Sequence, residues 1–411
     1  MKTGQIVAVI DIGSTKVACC IASVLDDGQF NIISAGHCAC FGVRAGTIVD
    51  VELVSKSIAN AVEMAEKASN LRLKSVYVNV SGRYVTSTIM SASITVGGRI
   101  IRAQDISSLL SLCRDRDQNK ETIHIIPVMF NVDELKGIKE PLGMFANVLT
   151  VKANVVSVSK TQLNNIISCL AKCHLDVIGF IHSGYASSLC MLDDELSEEN
   201  QIVIDFGGGA SSINFVYKGI FCGSEIVPLG GRNITKDIAS CLKISTVNAE
   251  RLKTLHGSAF VSHDDNKSMI MAPVIEEDGL TNLQQLPRSS LNQIIQSRVE
   301  EILSLIKKKI EQSAFGENFA KHVLITGGGS LLVGMREFTS EMLKKNVKTR
   351  KIDDCLDNSG IQINNEFATC LGMIRFVMLA DSGNSLSKND GCPEKQESFF
   401  RKTIQWLKNS L

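Results

Sequence analysis

Two aspartates stand where an apolar run gives way to glycine. Ile6, Val7, Ala8, Val9 and Ile10 lead into Asp11, Gly13, Ser14, Thr15 and Lys16, and Ile202, Val203 and Ile204 lead into Asp205, Gly207, Gly208 and Gly209. An aspartate at the end of a strand is placed to hold a magnesium ion or its waters. Glycines directly after it let bare backbone N–H groups approach an anion such as a phosphate. A third run, Val323, Leu324 and Ile325, passes into Thr326, Gly327, Gly328, Gly329 and Ser330. One such turn alone fits a plain bend between two strands equally well. Three of them, two carrying an aspartate, imply two similar lobes closing on one phosphate-bearing ligand.

Elements able to position these turns can be read around them. Residues 6–10, 17–22 and 30–39 read as consecutive strands, one pair joined at Asp26, Asp27 and Gly28. Val54, Ile58, Ala61, Val62 and Ala65 recur at helical spacing and predict a helix over about 52–69. Val76–Val80 reads as the next strand, closed by Ser81 and Gly82. Residues 83–158 read as a small α+β unit with its own sheet: strands near 85–96, 122–133 and 146–158 and a polar helix near 103–115. Helices are expected at 160–174, 179–192 and 290–313, an irregular surface loop at 258–287, and a returning helix from Phe367.

Composition narrows the function classes. A chain of 411 residues has room for two cores, since single cores stop growing at about 250–300 residues. Formal net charge is zero, which argues against a general nucleic-acid binder. The start, Met1 to Gln5, runs directly into a strand and is read as carrying no signal peptide; no stretch reaches the ~18 apolar residues of a membrane span. The thirteen cysteines include no C-x-x-C pair and no Cys/His set with zinc spacing, and several sit in apolar stretches as small hydrophobes. A reducing, cytoplasmic setting follows as the expectation.

The three turns resemble those of the actin, heat-shock chaperone and sugar-kinase superfamily. More specific segments are Val43–Asp50, Tyr77–Gly82, His124–Pro127, Gly137–Met144, Pro228–Ile238, Ala249–Lys253 with His256 and Gly257, and Ile325–Gly329. Over about residues 5–380 they are similar to FtsA, a bacterial actin-like cell-division family. The resemblance implies an α/β, two-lobed actin-like ATPase fold with a small α+β subdomain inserted in the first lobe and a C-terminal amphipathic helix. The implied division is 1–82 for the first lobe, 83–160 for the inserted subdomain, 161–230 for the second lobe and 231–305 for its smaller subdomain. Residues 306–355 return to the second lobe, 356–380 to the first, 381–396 form a linker and 397–411 a membrane-targeting helix.

The resemblance also implies the ligands. ATP with Mg2+ is the expected cofactor: Ser14, Thr15 and Lys16, in the turn with Gly13, would meet the β-phosphate, and Asp11 and Asp205 would hold magnesium through water. Gly207, Gly208 and Gly209 would cover the β- and γ-phosphates, Gly327, Gly328 and Gly329 the adenosine, and Glu250 and Lys253 the ribose and base. Implied partners are further copies in a filament, the C-terminal tail of FtsZ at Arg298 and Glu301, later division proteins at the inserted subdomain, and an anionic lipid surface on the cytoplasmic side of the inner membrane. One departure stands out. The family continues its second phosphate turn with two threonines and an aspartate, where this chain has Ala210, Ser211 and Ser212. A serine has no accessible pKa near 7 and is a poor general base, so the expected role is a bound conformational ligand, with at most weak ATPase activity.

The tail can be read physically. At 100° per residue Phe399, Phe400, Thr403, Ile404, Trp406, Leu407 and Leu411 share one arc, with Arg401, Lys402, Gln405, Lys408 and Asn409 opposite. An apolar face with aromatics, backed by basic residues, suits an interface with anionic lipid. The competing reading, a sugar-kinase-type phosphotransferase, needs a base in the cleft and has no use for such a tail.

Overall fold

Unbroken aliphatic runs become the central strands. The computed structural model describes residues 4–25, 29–192, 198–275, 281–350, 355–356 and 362–382, so the turn at 26–28 lies outside the described residues. β1 (Ile6–Ile12), β2 (Lys16–Val24) and β3 (Phe30–Ala39) form an antiparallel meander. A short hairpin, β4 (Val43–Arg44) and β5 (Thr47–Ile48), precedes α1 (Val51–Ser69). Asp50 caps α1 by accepting the Leu53 N–H at 3.0 Å, and Asn70 ends it in the left-handed region at φ 55°. Val54, Ile58, Ala61 and Ala65 then bury against the meander. β6 (Ser75–Val80) follows and pairs parallel with β1.

At this point the chain leaves the lobe. β7 (Val85–Ile100), α2 (Ala103–Ser111), β8 (Lys120–Val132), β9 (Leu135–Ile138) and β10 (Phe145–Ser159) make a separate unit with sheet order β7-β10-β8-β9. Leu109 and Leu110 of α2 bury with Leu149 and Val151. The chain returns through α3 (Lys160–Ala171) and β11 (Asp176–His182), which pairs parallel with β6 and completes the order β11-β6-β1-β2-β3. This corrects two expectations. Residues 179–192 are not one helix: the run ends β11 and only α4 (Ser183–Met191) is helical. Aromatic and β-branched side chains at Val177, Phe180 and Ile181 suit the extended form, and the free edge of β6 supplies its partner. Residues 161–182 accordingly belong to the first lobe, not the second.

The second lobe repeats the plan. β12 (Gln201–Phe206), β13 (Ser211–Tyr217) and β14 (Ile220–Val227) form an antiparallel meander. A smaller subdomain follows, with α5 (Gly231–Cys241), α6 (Thr246–His256) and the hairpin β15 (Met269–Ile275) and β16 (Thr281–Pro287). That hairpin corrects the irregular loop expected over 258–287. Its period-2 signal is real, with Ile270, Ala272 and Val274 buried, but Met269, Met271 and Ile275 on the exposed face obscure it. α7 (Arg288–Gln312) leads back to β17 (His322–Thr326), α8 (Met335–Leu343) and β18 (Asn346–Thr349), giving β14-β13-β12-β17-β18.

The lobes share a seam. α4 buries Ala186 and Cys190 with residues of the first sheet and Met191 with Val203, Val216 and Leu324 of the second. The last described helix, α9 (Ala368–Ser382), crosses it at Gly372, where a Cβ would stand 1.7 Å from the Ala186 carbonyl oxygen. Only glycine permits that approach.

Candidate functional site

Both aspartates occupy the second-to-last position of a central strand. Asp11 closes β1, and Asp205 closes β12 opposite Ser212 of β13 and level with Thr326 of β17. The turns that follow them touch. A Cβ on Gly208 would lie 2.2 Å from Thr15 Oγ1, and one on Gly209 would lie 2.5 Å from Ser14 Oγ. In the first turn the Gly13 N–H donates to the Lys16 carbonyl at 2.9 Å. Gly327 adopts φ +82°, and a side chain there would meet Asp205 Oδ1 at 2.2 Å, so the third turn backs the second carboxylate. The structure thus gathers Asp11, Gly13, Ser14, Thr15, Asp205, Gly207, Gly208, Gly209 and Gly327 at one place. Gly328 and Gly329 start a short 3-10 turn beside them, Gly328 close to the Glu366 side chain.

Charge is concentrated there at a cost. Burial, then repulsion from Asp11, pushes the Asp205 carboxyl up to about 7, while a hydrogen bond from Ser187 and the Lys16 charge oppose the rise. Burial pushes Asp11 up to about 6, countered by Lys16 and by Asn79. Asn79 fixes that carboxylate closely: its Nδ2 donates to Asp11 Oδ1 and to Ser183 Oγ at 3.1 Å, and its Oδ1 accepts the Ile12 N–H at 2.7 Å. Two desolvated carboxylates that repel each other, beside glycine turns too close-packed for side chains, fit a hard divalent cation carrying phosphate oxygens.

Other expected residues are engaged elsewhere. Lys16 Nζ donates to the Glu366 carbonyl at 2.8 Å, approaches Glu366 Oε2 at 3.4 Å and lies 4.2 Å from the Phe367 ring centre. Glu250 and Lys253 pair at 2.8 Å on α6, and Lys253 also donates to Thr235 Oγ1 at 2.9 Å and to the Gly231 carbonyl at 3.3 Å. They join α5 to α6 within the smaller subdomain. Arg298 of α7 clasps Asp237 of α5 through Nε and Nη2 and donates to Glu301 through Nη1. Ser212 Oγ accepts from Asn214 Nδ2 at 3.0 Å. Phe399, Phe400, Ile404, Trp406, Leu407 and Leu411 lie outside the described residues.

Several participants escape sequence reasoning: Asn79, Ser187, Arg232 and Glu366. Asn79 leaves a trace, as the one polar residue within the run Val76–Val80. Arg232 leaves another, since it follows a Gly-Gly pair at the start of a helix.

Comparison with known proteins places this geometry. The family described as "Cell division protein FtsA" matches residues 202–372, and "SHS2 domain inserted in FTSA" matches residues 82–157, the unit built from β7 to β10. Cell division protein FtsA of Rhizobium meliloti is 32% identical over 100% of this chain and 96% of its own length. That of Escherichia coli K12 is 26% identical, covering 99% and 98%. Among solved structures, the PilM–PilN type IV pilus biogenesis complex has a TM-score of 0.62 at 12% identity, covering 90% of this chain and 98% of that chain. MreB5 of Spiroplasma citri bound to AMPPNP has a TM-score of 0.57 at 11% identity, covering 94% and 100%. These structures share the two-lobed actin-like architecture, and the sequence relatives decide the assignment: the chain belongs to the FtsA family of bacterial cell-division proteins.

Proposed function

We propose that this chain is a nucleotide-dependent division scaffold that binds ATP with magnesium, assembles with further copies, and tethers the FtsZ ring to the inner membrane surface. The observation that carries the nucleotide reading is the pair Asp11 and Asp205, raised to about 6 and about 7 at the meeting of glycine turns. A magnesium ion there would supply the positive charge that two repelling carboxylates lack. Asp11 and Asp205 would hold it through water, Ser14, Thr15 and Gly207–Gly209 would line the phosphates, and Gly327–Gly329 would lie by the adenosine. Lys16 would reach the β-phosphate only by leaving Glu366, and Glu250 and Lys253 would approach the ribose and base from α6.

Ser212 faces Asp205 across the strands and carries a hydroxyl already accepting from Asn214. Such a group does not draw a proton from water at neutral pH, so nucleotide is held and exchanged more than consumed. The tail of FtsZ is assigned to the face of α7 at Arg298 and Glu301, where an acidic peptide would compete with Glu301 for Nη1. Residues 397–411, through their aromatic and aliphatic arc, are assigned to anionic lipid, and the inserted unit to later division proteins.

Calorimetric titration with ATP and magnesium, run beside a phosphate-release assay, tests the reading. Binding with turnover below about 1 per second, the low end of ordinary enzymes, is expected; faster turnover overturns the scaffold. Sedimentation with anionic vesicles is expected to lose the protein when the chain is cut before Ser398. Undiminished sedimentation removes the membrane assignment.

A further inference from the structure

Arg232, in the first turn of α5, touches both halves of the cleft. Its backbone N–H donates to the Gly208 carbonyl at 2.7 Å, and the neighbouring Gly231 N–H donates to the Gly207 carbonyl at 3.0 Å. These bonds seat the second-lobe turn on the start of α5. A Cβ on Gly230 would lie 2.4 Å from the same Gly207 oxygen, so the seat is tight. The side chain points the other way. Its Nη1 donates to the Val43 carbonyl at 3.1 Å, and its Nη2 donates to the Ser14 carbonyl and to the Cys40 carbonyl at 3.3 Å. Ser14 belongs to the first-lobe turn, and Cys40 and Val43 to the segment behind it. One residue therefore holds one turn by its main chain and the other by its guanidinium.

We infer that Arg232 is the closure residue of the cleft, positioning the two turns against each other and so limiting how fast a bound nucleotide escapes. The inference rests on the nucleotide reading given above. The lobes cannot separate at this edge without breaking three bonds from a charged donor, a class stronger than neutral hydrogen bonds. The planar fork suits several carbonyls at once; a lysine ammonium is a point charge on a flexible stem and reproduces the arrangement only in part. Among the described residues the Arg232 side chain donates to carbonyl oxygens and has no carboxylate partner. No acidic group among the described residues competes with the cross-lobe bonds.

The test compares full-length wild type with Arg232→Met, which keeps an apolar stem, and Arg232→Lys. Release of a fluorescent N-methylanthraniloyl ATP with magnesium is followed by stopped flow. Amide hydrogen exchange is measured on the same proteins without nucleotide. Arg232→Met is expected to speed release at least tenfold and to raise exchange in segments 13–16 and 40–46. Exchange within the inserted unit should not change, and Arg232→Lys should restore part of the slow release. A residue that merely adds stability would lower the melting temperature and leave release alone, and that result overturns the inference. Should wild type fail to bind the probe, the nucleotide reading falls. The exchange data then decide the clasp alone: unchanged exchange at 13–16 and 40–46 overturns it, and raised exchange supports it.

Discussion

The two lobes carry the same sheet written twice. In each, a three-stranded antiparallel meander is followed by two parallel strands, β3-β2-β1-β6-β11 in one and β14-β13-β12-β17-β18 in the other. The copies differ in where they accommodate extra chain. The second lobe places its smaller subdomain after the meander, between β14 and α7, where the first has only the β4–β5 hairpin. The first places its insertion one step later, between β6 and α3. They differ again at the carboxylates. Asp11 has Asn79 from the adjoining parallel strand as a donor. Asp205 stands level with Thr326 of its own parallel neighbour, whose buried Oγ1 has no hydrogen-bond partner among the described residues. Burial pushes both carboxyls up, and an amide opposes the rise at Asp11 where the Ser187 hydroxyl opposes it at Asp205. The two halves of one site are thus built differently: a strand-borne amide holds Asp11, and a helix-borne hydroxyl holds Asp205.

The largest expected effect comes from erasing one half. Asp205→Asn should weaken ATP–magnesium binding by at least ~100-fold, near 2.7 kcal/mol, measured by calorimetry. Without nucleotide the same change should stabilise the fold at alkaline pH. Both carboxyls have folded pKa values above the unfolded value of about 3.9. Between roughly pH 4 and 7 the folded protein retains protons that the unfolded chain has released, so stability falls as pH rises. Melting curves from pH 5 to 8 should show that slope in wild type and a much flatter one in the variant. An unchanged slope would mean that Asp205 does not carry the strain assigned to it.

A smaller effect sharpens the asymmetry. Asn79→Ala removes the donor that, after the Lys16 charge, opposes the rise at Asp11, so the Asp11 carboxyl should rise further. Nucleotide affinity should drop by about tenfold, the scale of one charge-assisted hydrogen bond, and the pH slope of the nucleotide-free protein should steepen. Equal affinity in the variant would break the comparison.

The smallest effect is expected at the counterpart position. Thr326→Val replaces an unpartnered buried hydroxyl by a methyl of the same shape, and the change should be neutral or stabilising within about 1 kcal/mol. Denaturant unfolding of the nucleotide-free protein measures it. A loss well beyond that would show the hydroxyl to be engaged after all.

What the sequence discloses follows from how each feature is encoded. The aspartate–glycine turns are local, and their strand ends, glycine positions and separation are all legible. The inserted unit is legible because it brings its own strands. Expectation fails where a partner decides the outcome. The segment 176–182 is extended because β6 offers an edge, and residues 269–275 pair with 281–287 in a hairpin whose outward face is apolar. Arg232, Glu366 and Ser187 meet the cleft from elements far away in the chain, which no spacing reports. Lys16 and Arg298 show the converse, since a cation read as available for a ligand or partner already holds a carboxylate at Glu366 and Asp237.

The root of the inserted unit has a mechanical consequence. β7 leaves the lobe and β10 returns to it side by side, paired from Val85 opposite Val158 out to Ile100 opposite Phe145. A pull along the unit therefore runs down two covalent strands at once, and the long antiparallel ladder between them keeps the pair in register. The unit also braces sideways. Val128 reaches into the core of the second lobe, and the Ser224 N–H of β14 donates to Ser87 Oγ at 3.2 Å. Force arriving at the far tip is thus delivered to both lobes, behaving as a strut between them and not as a pennant tied to one.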